Sequence, residues 1–274
     1  MDQDIKTVVG ERYGEIARKG FSSRDESMRR IAAAFGYSED ELASIPAEAN
    51  MGLSCGNPTA MASLREGETV VDLGSGGGLD VFLAAQQVGP TGRAIGVDMT
   101  PDMVALARRN ADKAGHSNVA FHRAEIDDMP FDDDSVDCAI SNCVLNLVPD
   151  KLRAFQEIFR ILKPGGRLAV SDIALKQTLP PALSESVAAF TGCIAGALPI
   201  AEYDRLLRQA GFASVRIMDS GADLNLYNDC AAPDSGHFAT CYGTAGPDAD
   251  EGLKALGAID VNDYAASVKV FAVK

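Results

Sequence analysis

The stretch Asp72-Leu73-Gly74-Ser75-Gly76-Gly77-Gly78-Leu79-Asp80 constrains the fold more than any other part of the chain. It packs four glycines into five positions between a β-branched run and an apolar helical run. A glycine-rich turn joining strand to helix lets a ligand approach the backbone and seats it at a helix N-terminus. A dinucleotide fingerprint would need glycine where Leu79 stands, and no Gly-Lys-Ser/Thr follows as in a phosphate loop. Asp72, two positions before the first glycine, is awkward beside a pyrophosphate and suits a cationic ligand. From Thr69 onward, strands predicted over Thr69–Leu73, Ala94–Val97, Val119–His122, Val136–Ser141 and Arg167–Ser171 alternate with helices. Those helices are predicted over Asp80–Val88, Pro101–Ala114 and Lys151–Leu162, the last stopped by Lys163-Pro164-Gly165-Gly166. This rhythm predicts an α/β fold with a mostly parallel sheet covered on both faces.

The flanks read differently. Helices are predicted over Asp2–Ala17, Ser27–Phe35 and Ser38–Leu42, with Glu41 three residues after Ser38, followed by a Gly/Pro loop from Asn50 to Ala60. Beyond the fifth strand, helices over Glu185–Ala197 and Ala201–Ala210 lead to a strand over Ser214–Met218. Residues 219–257 are rich in Asp, Gly and Ala and longer than an ordinary connection, and a strand over Ser267–Val273 ends the chain. The expected organisation is a helical N-terminal cap over 1–65 that carries the Cys55 loop, and a core over 66–218 that includes a helical segment at 175–210. A C-terminal extension follows over 219–274, made of an insert and the last sheet strand.

Composition excludes some partners. The net charge of −14 on 274 residues repels a phosphate backbone, so no nucleic acid is expected. No apolar run approaches the ~18 residues of a membrane span, and the N-terminus lacks the basic flank and apolar stretch of a signal peptide. A cytoplasmic protein with no membrane partner is the expectation. In such a compartment the six cysteines (Cys55, Cys138, Cys143, Cys193, Cys230 and Cys241) should be mostly free thiols, and none form a CxxC pair. Cys138, inside a strand, reads as packing. Cys230, His237 and Cys241 give only a weak metal-site signal at their unusual spacing; Cys230 and Cys241 read as loop or packing cysteines, with a disulfide between the two as the other reading.

Further acids complete a nucleoside pattern. Asp98 ends the second strand twenty residues after Gly78, where a carboxylate can accept from ribose hydroxyls. Glu125-Ile126-Asp127-Asp128-Met129-Pro130-Phe131 offers acids beside an apolar platform for an adenine. Each piece alone is common in α/β proteins; in this order and spacing they point to S-adenosylmethionine. The set DLGSGGG, GVDM, the acid–hydrophobic turn and LKPGGRL resembles the class I S-adenosylmethionine-dependent methyltransferases, whose sheet is Rossmann-like. That resemblance implies that Asp72, Gly74 and Gly76 surround the methionine part, and that Asp98 and Met99 hold the ribose and adenine. Ile126 and Asp127 would flank the adenine, with Asn142 near the sulfonium.

The segments SCGNPTAMASL, SNCVLNLVPDK and TGCIAGAL followed by Glu202-Tyr203, together with Glu11-Arg12-Tyr13-Gly14, resemble the arsenite methyltransferase family over about residues 10–218. The resemblance implies that Cys55, Cys143 and Cys193 bind trivalent arsenic and carry the catalysis. Many members of that family have one more cysteine in the cap, where this chain reads Phe21-Ser22-Ser23-Arg24. The chemistry is coherent: soft thiolates suit a thiophilic centre, and arsenite is uncharged at neutral pH. The arsenic lone pair can attack a sulfonium methyl with no proton to remove. Methyl transfer formally oxidises arsenic, which implies a thiol reductant, glutathione or a thioredoxin-type partner. Two other readings remain. One is a methyltransferase of a small organic acceptor, which would need a general base in the pocket. The other is an arsenic-binding thiol protein with little turnover, for which the whole cofactor set would be superfluous.

Overall fold

The structure, a computed structural model, describes residues 2–186, 189–190, 193–225 and 259–274. Helices α1 (Asp2–Lys19), α2 (Glu26–Ala34), α3 (Glu39–Ala43) and α4 (Pro58–Ala62) precede the sheet. The capping box foreseen at Ser38 and Glu41 is formed, with the two side chains exchanging bonds with each other's backbone N–H. The last three residues of the expected Asn50–Ala60 loop instead open α4. Asn57 accepts from the Ala60 N–H at 3.0 Å and Pro58 takes the first turn, where its missing donor costs nothing.

The core then alternates as expected through β1 (Thr69–Leu73), α5 (Leu79–Val88), β2 (Arg93–Asp98), α6 (Pro101–Ala114), β3 (Val119–Arg123), β4 (Val136–Asn142) and α7 (Lys151–Ile161). It continues through β5 (Leu162–Leu175), α8 (Pro181–Ser184), β6 (Leu198–Pro199), α9 (Ile200–Ala210) and β7 (Ala213–Asp219), ending in α10 (Val261–Tyr264) and β8 (Ala265–Val273). Strand order is β3-β2-β1-β4-β5-β8-β7, with β6 also pairing to β5. The strands from β3 to β5 run parallel, and β8 lies antiparallel between β5 and β7. This is the class I methyltransferase sheet, mostly parallel.

The period-2 alternation of a strand sorts its residues onto two cores. Val71, Leu73, Ala139, Leu168 and Val170 face the core beneath α7 and α9, around Phe155, Ile158 and Tyr203. Val70, Cys138, Ile140 and Ala169 face the other, around Phe82 and the cap residues Tyr37 and Leu42. α5 is buried nearly all round because sheet and cap both cover it. Cys138 is fully buried and desolvation pushes its thiol up to about 12, so it packs as an apolar side chain.

Two sequence expectations change. β5 is fourteen residues long and absorbs the expected Lys163–Gly166 stop, because Gly165 at φ +79° and Gly166 exchange bonds with Lys274 at the end of β8. The helix expected over Glu185–Ala197 is not continuous in its described part. α8 stops at Ser184, and residues 193–196 form a turn that Cys193 enters at φ +67°. Of the insert, only residues 219–225 are described, and Cys230, His237 and Cys241 lie outside the described residues. Among the described residues no helix is long and apolar enough to cross a membrane, and no group of three His, Cys, Asp or Glu side chains is placed to hold a metal.

Because the chain leaves β1 for β2 and β3 on one side and returns to β4 on the other, a crevice opens beyond the carboxyl ends of β1 and β4. The cap is tied over it from several directions: Lys6 of α1 pairs with Glu125 and with Asp127, and Arg18 pairs with Asp102 of α6. At the other end, Arg167 of β5 grips Glu68 in a two-pronged pair at 2.7 and 2.9 Å and donates to the carbonyls of Ala62 and Ser63, where α4 ends. Both partners are nearly buried. Replacing Arg167 by Met leaves the Glu68 carboxylate buried without its partner. We expect a loss of about 3 kcal/mol in denaturant unfolding, whereas Arg208→Met, at an exposed pair on α9, should leave the unfolding midpoint almost unchanged.

Candidate active site

A cleft of about 1090 Å³, open mouth included, occupies the crevice. Its floor is the glycine turn. Gly74, at φ +70°, needs to be glycine twice over, since a Cβ there would overlap Val144. Gly77 passes so close to the cap that its Cβ would lie 3.1 Å from the Ala49 carbonyl. The turn therefore presses between the Cys143 loop and the cap, and bare backbone faces the cleft. Asp72, Gly74, Gly76, Asp98, Met99, Ile126, Asp127 and Asn142, all chosen from sequence, line it.

The cleft is acidic at its inner end. Asp98 accepts from the Gly76 N–H at 3.0 Å and the Thr100 N–H at 2.8 Å, which fixes the turn against β2. Asp72 and Asp80 are buried. Desolvation and the neighbouring carboxylates Asp80 and Asp98 hold Asp72 well above the usual carboxylate range. Desolvation also raises Asp80 to about 7, even though Tyr37 Oη donates to it at 2.8 and 3.0 Å and Asn142 Nδ2 at 3.2 Å. Three carboxyl groups crowded around one open space, two of them buried, are an arrangement that a bound cation would relieve.

Asn142 is the link to the cysteines. Its Oδ1 accepts from the Cys55 N–H at 2.9 Å, and its Nδ2 lies 2.8 Å from both the Gly56 carbonyl and Tyr37 Oη. Cys55 is held at its other end by Ser267 of β8, whose Oγ donates to the Cys55 carbonyl at 2.7 Å. Gly56 is obligatory here, since a Cβ would press within 2.6 Å of Ser171 Oγ. Cys143 takes the next position after Asn142, its N–H bonded to the Ser171 carbonyl at 2.9 Å. Cys55 and Cys143 are joined in a disulfide, with Cα atoms 5.6 Å apart. Cys193 reaches the same place, its Sγ 2.7 Å from the Cys143 carbonyl. All three cysteines belong to one buried apolar cluster.

The expectation of free thiols is thus corrected for two of the six cysteines: the fold brings Cys55 and Cys143 within bonding reach, which no local pattern announces. Sequence reasoning also missed Tyr37, Lys6 and Ser267. Asp80 was in view only as the start of a helix. An acid in the first turn usually means a favourable helix dipole, and only its burial reveals that it faces Asp72. Tyr37 and Ser267 sit in unremarkable contexts and carried no signal.

Raised carboxylates have a stability consequence. A group near 7 in the fold and near 4 when unfolded favours the protonated folded state, so stability is lost as pH rises toward and through about 7. Asp80→Asn keeps an acceptor for Tyr37 and removes that penalty. The variant should melt higher than the parent at about pH 8, with the difference shrinking toward about pH 4. A constant difference across that range would show that Asp80 is not the titrating group.

Residues 64–211 match a family described as a methyltransferase domain. An arsenite methyltransferase of Halobacterium salinarum is 40% identical over 242 residues, 83% of this chain and 62% of that protein. The arsenite methyltransferase of Homo sapiens is 37% identical over 158 residues, 54% of this chain and 42% of its own. The chain thus spans about three fifths or less of the length of these two curated relatives. Among solved structures, an arsenic (III) S-adenosylmethionine methyltransferase from Chlamydomonas reinhardtii superposes with a TM-score of 0.57 at 27% identity, covering 90% of this chain and 73% of that one. Because the matched span exceeds half of the chain and contains the strands and glycine turn that build the cleft, the chain belongs to the methyltransferase domain family and is similar, within it, to arsenite methyltransferases.

Proposed function

We propose that this protein methylates trivalent arsenic with S-adenosylmethionine as methyl donor, the arsenic being held by Cys55, Cys143 and Cys193. The observation that carries the reading is the meeting of three cysteines, far apart in the chain, beside a cleft whose inner end is lined by carboxyl groups. Similarity to arsenite methyltransferases of an archaeon and a mammal supports it.

The residues fit the donor. The crowded carboxyls of Asp72, Asp80 and Asp98 are suited to a cation, and the open backbone at Gly74 and Gly76 lets it come close. Asp98 and Met99 would hold the ribose and adenine, Ile126 and Asp127 would flank the adenine, and Asn142 stands where cleft and cysteines meet. When bound, S-adenosylmethionine supplies a methyl on a positive sulfur, which an arsenic lone pair can accept. The chain's own part is to bind and orient. Each cysteine thiol replaces one hydroxyl of arsenite, forming an As–S bond and releasing water, so three thiols leave the lone pair as the open valence. The carboxyl cage fixes the donor, and the apolar cluster around the cysteines excludes water. Held together, the reactants gain mainly from proximity.

Two consequences concern redox state. The Cys55–Cys143 disulfide cannot take arsenic, so it has to be reduced first. We propose that a thiol reductant such as glutathione or a thioredoxin-type protein does this and also returns pentavalent arsenic to the trivalent state. The reading fits a cytoplasmic protein in a reducing compartment. The cap supplies Cys55, the core Cys143 and the 175–210 segment Cys193.

The decisive experiment incubates the protein with arsenite, S-adenosylmethionine and a thiol reductant and measures arsenic species by mass spectrometry. Methylated arsenic in stoichiometric excess over protein is expected, with none when the reductant is omitted from oxidised protein. Cys143→Ser and Cys193→Ser should abolish methylation while S-adenosylmethionine affinity stays within about twofold. A stoichiometric burst that stops would favour an arsenic-binding protein with little turnover, and methylation surviving either substitution would sink the three-thiol site. Donor affinity should rise with pH through about 7, because the cation favours ionised Asp80.

A further inference from the structure

Cys143 and Cys193 share an unusual backbone. Both are non-glycine residues in the left-handed region, at φ +58° and +67°. Such a conformation is disfavoured for a residue that carries a Cβ and persists only where the surroundings over-determine it. What over-determines these two lies behind them, away from the cleft. Asn146, three residues after Cys143, is fully buried in the turn Leu145–Leu147. Its Nδ2 lies 3.0 Å from the Cys193 carbonyl, 2.9 Å from Asp172 Oδ1 and 2.7 Å from the Ile173 carbonyl. Asp172, also fully buried, is fixed in turn by the Ile173 N–H at 2.9 Å. Lys151 closes the same turn from the start of α7, donating to the carbonyls of Asn146 at 3.2 Å and Val148 at 3.0 Å. On the Cys193 side, Gly196 rests directly on the Asn146 carbonyl, with no room for a Cβ.

We infer that Asn146, anchored by Asp172, is a positioning residue that sutures the Cys143 turn to the Cys193 turn and sets the separation of the two thiols. Neither side chain lines the donor cleft, so their work is on the acceptor side alone. The amide is suited to the task because one group must donate at once to a strand carboxylate and to the carbonyl of a distant turn. Asp172 serves through a single oxygen: Oδ1 takes both bonds, while Oδ2 has no hydrogen-bond partner among the described residues. An amide in place of Asp172 therefore keeps the acceptor that matters, whereas a methyl group does not. The inference rests on the arsenic reading only for what the paired thiols hold; their spacing can be measured without arsenic.

The test uses the full chain in a Cys55→Ser background, so that Cys143 and Cys193 are the paired thiols of the site, and subtracts a Cys55→Ser/Cys193→Ser control. Dibromobimane, which fluoresces when it bridges two neighbouring thiols, reports their spacing, and equilibrium dialysis of phenylarsenite, which takes two sulfurs, reports their use. Adding Asn146→Leu or Asp172→Ala should lower the bridging rate and the phenylarsenite affinity by about tenfold or more, as loss of buried hydrogen bonds predicts. S-adenosylmethionine affinity should stay within about twofold and certifies that each variant is folded. Asp172→Asn should restore most of both signals, which a general packing role would not predict. Bridging at the parental rate in both Asn146→Leu and Asp172→Ala would overturn the inference. Should Asn146→Leu not fold, Asp172→Ala against Asp172→Asn decides it alone. Phenylarsenite binding that is equally tight in the Cys193→Ser control would instead remove the arsenic reading, with the bridging rates still deciding the suture.

Discussion

The side chain of Asn142 is the joint on which this site depends. A single amide accepts from the Cys55 N–H and donates toward the Gly56 carbonyl, Tyr37 and Asp80. Cys55 belongs to the cap, Asp80 to the first core helix and Asn142 to the end of a central strand, so the amide ties three distant parts of the chain into one geometry. Asn142 is half-buried at the cleft, and its amide uses both its oxygen and its nitrogen. An error in the packing of the cap therefore reaches the carboxyl cage, and disorder in the cage reaches the cysteines. Cleft and cysteine cluster are built as one object because they share this group.

That architecture explains which parts were legible in the sequence. The core was, because its signals are local: β-branched runs, the proline at Pro101, the glycine turn and the Ser38–Glu41 box each act within a few residues. Of the site residues, those on strand ends were legible for the same reason. Asp72 is the last residue but one of β1, Asp98 and Asn142 end β2 and β4, and a parallel sheet delivers strand ends to one crevice whatever the side chains do. Illegible were the residues whose meaning comes from contacts across the chain. Ser267 holds Cys55 from 212 residues away, and Lys6 reaches Glu125 across the mouth of the cleft. The disulfide belongs to the same class. Cysteine count and compartment argue about whether bonds form on average, while only the fold says that Cys55 and Cys143 face each other.

Within the 185–197 stretch, residues 193–196 depart from the expected helix for a further reason. Its apolar spacing is helical, yet Cys193 adopts a left-handed backbone that a helix forbids. Propensity is a weak preference beside the tertiary bonds that reach this turn, chiefly the one from Asn146. Local rules correctly describe what the segment would do alone, and they give way where several buried groups specify another answer. Such conflicts tend to gather at functional sites, and here two of them fall on neighbouring cysteines.

Charge completes the picture. The chain as a whole is strongly acidic, but long-range attraction alone would not choose between one cation and another, and salt screens it within about 10 Å. Selectivity has to come from the short range, where Asp72 and Asp80 are buried at a spacing that makes full ionisation costly. A cation entering there does more than meet opposite charge: it converts mutually repelling, partly protonated carboxyls into ionised partners. In the proposed reaction the positive charge on sulfur disappears when the methyl leaves. The cage then loses part of what stabilised it, so spent donor should be held less firmly than fresh donor. The acceptor side feels none of this directly, since arsenite is neutral and the cysteines lie in an apolar cluster. Under that proposal electrostatics governs one substrate and covalent sulfur chemistry the other, and the geometry that Asn142 holds serves both.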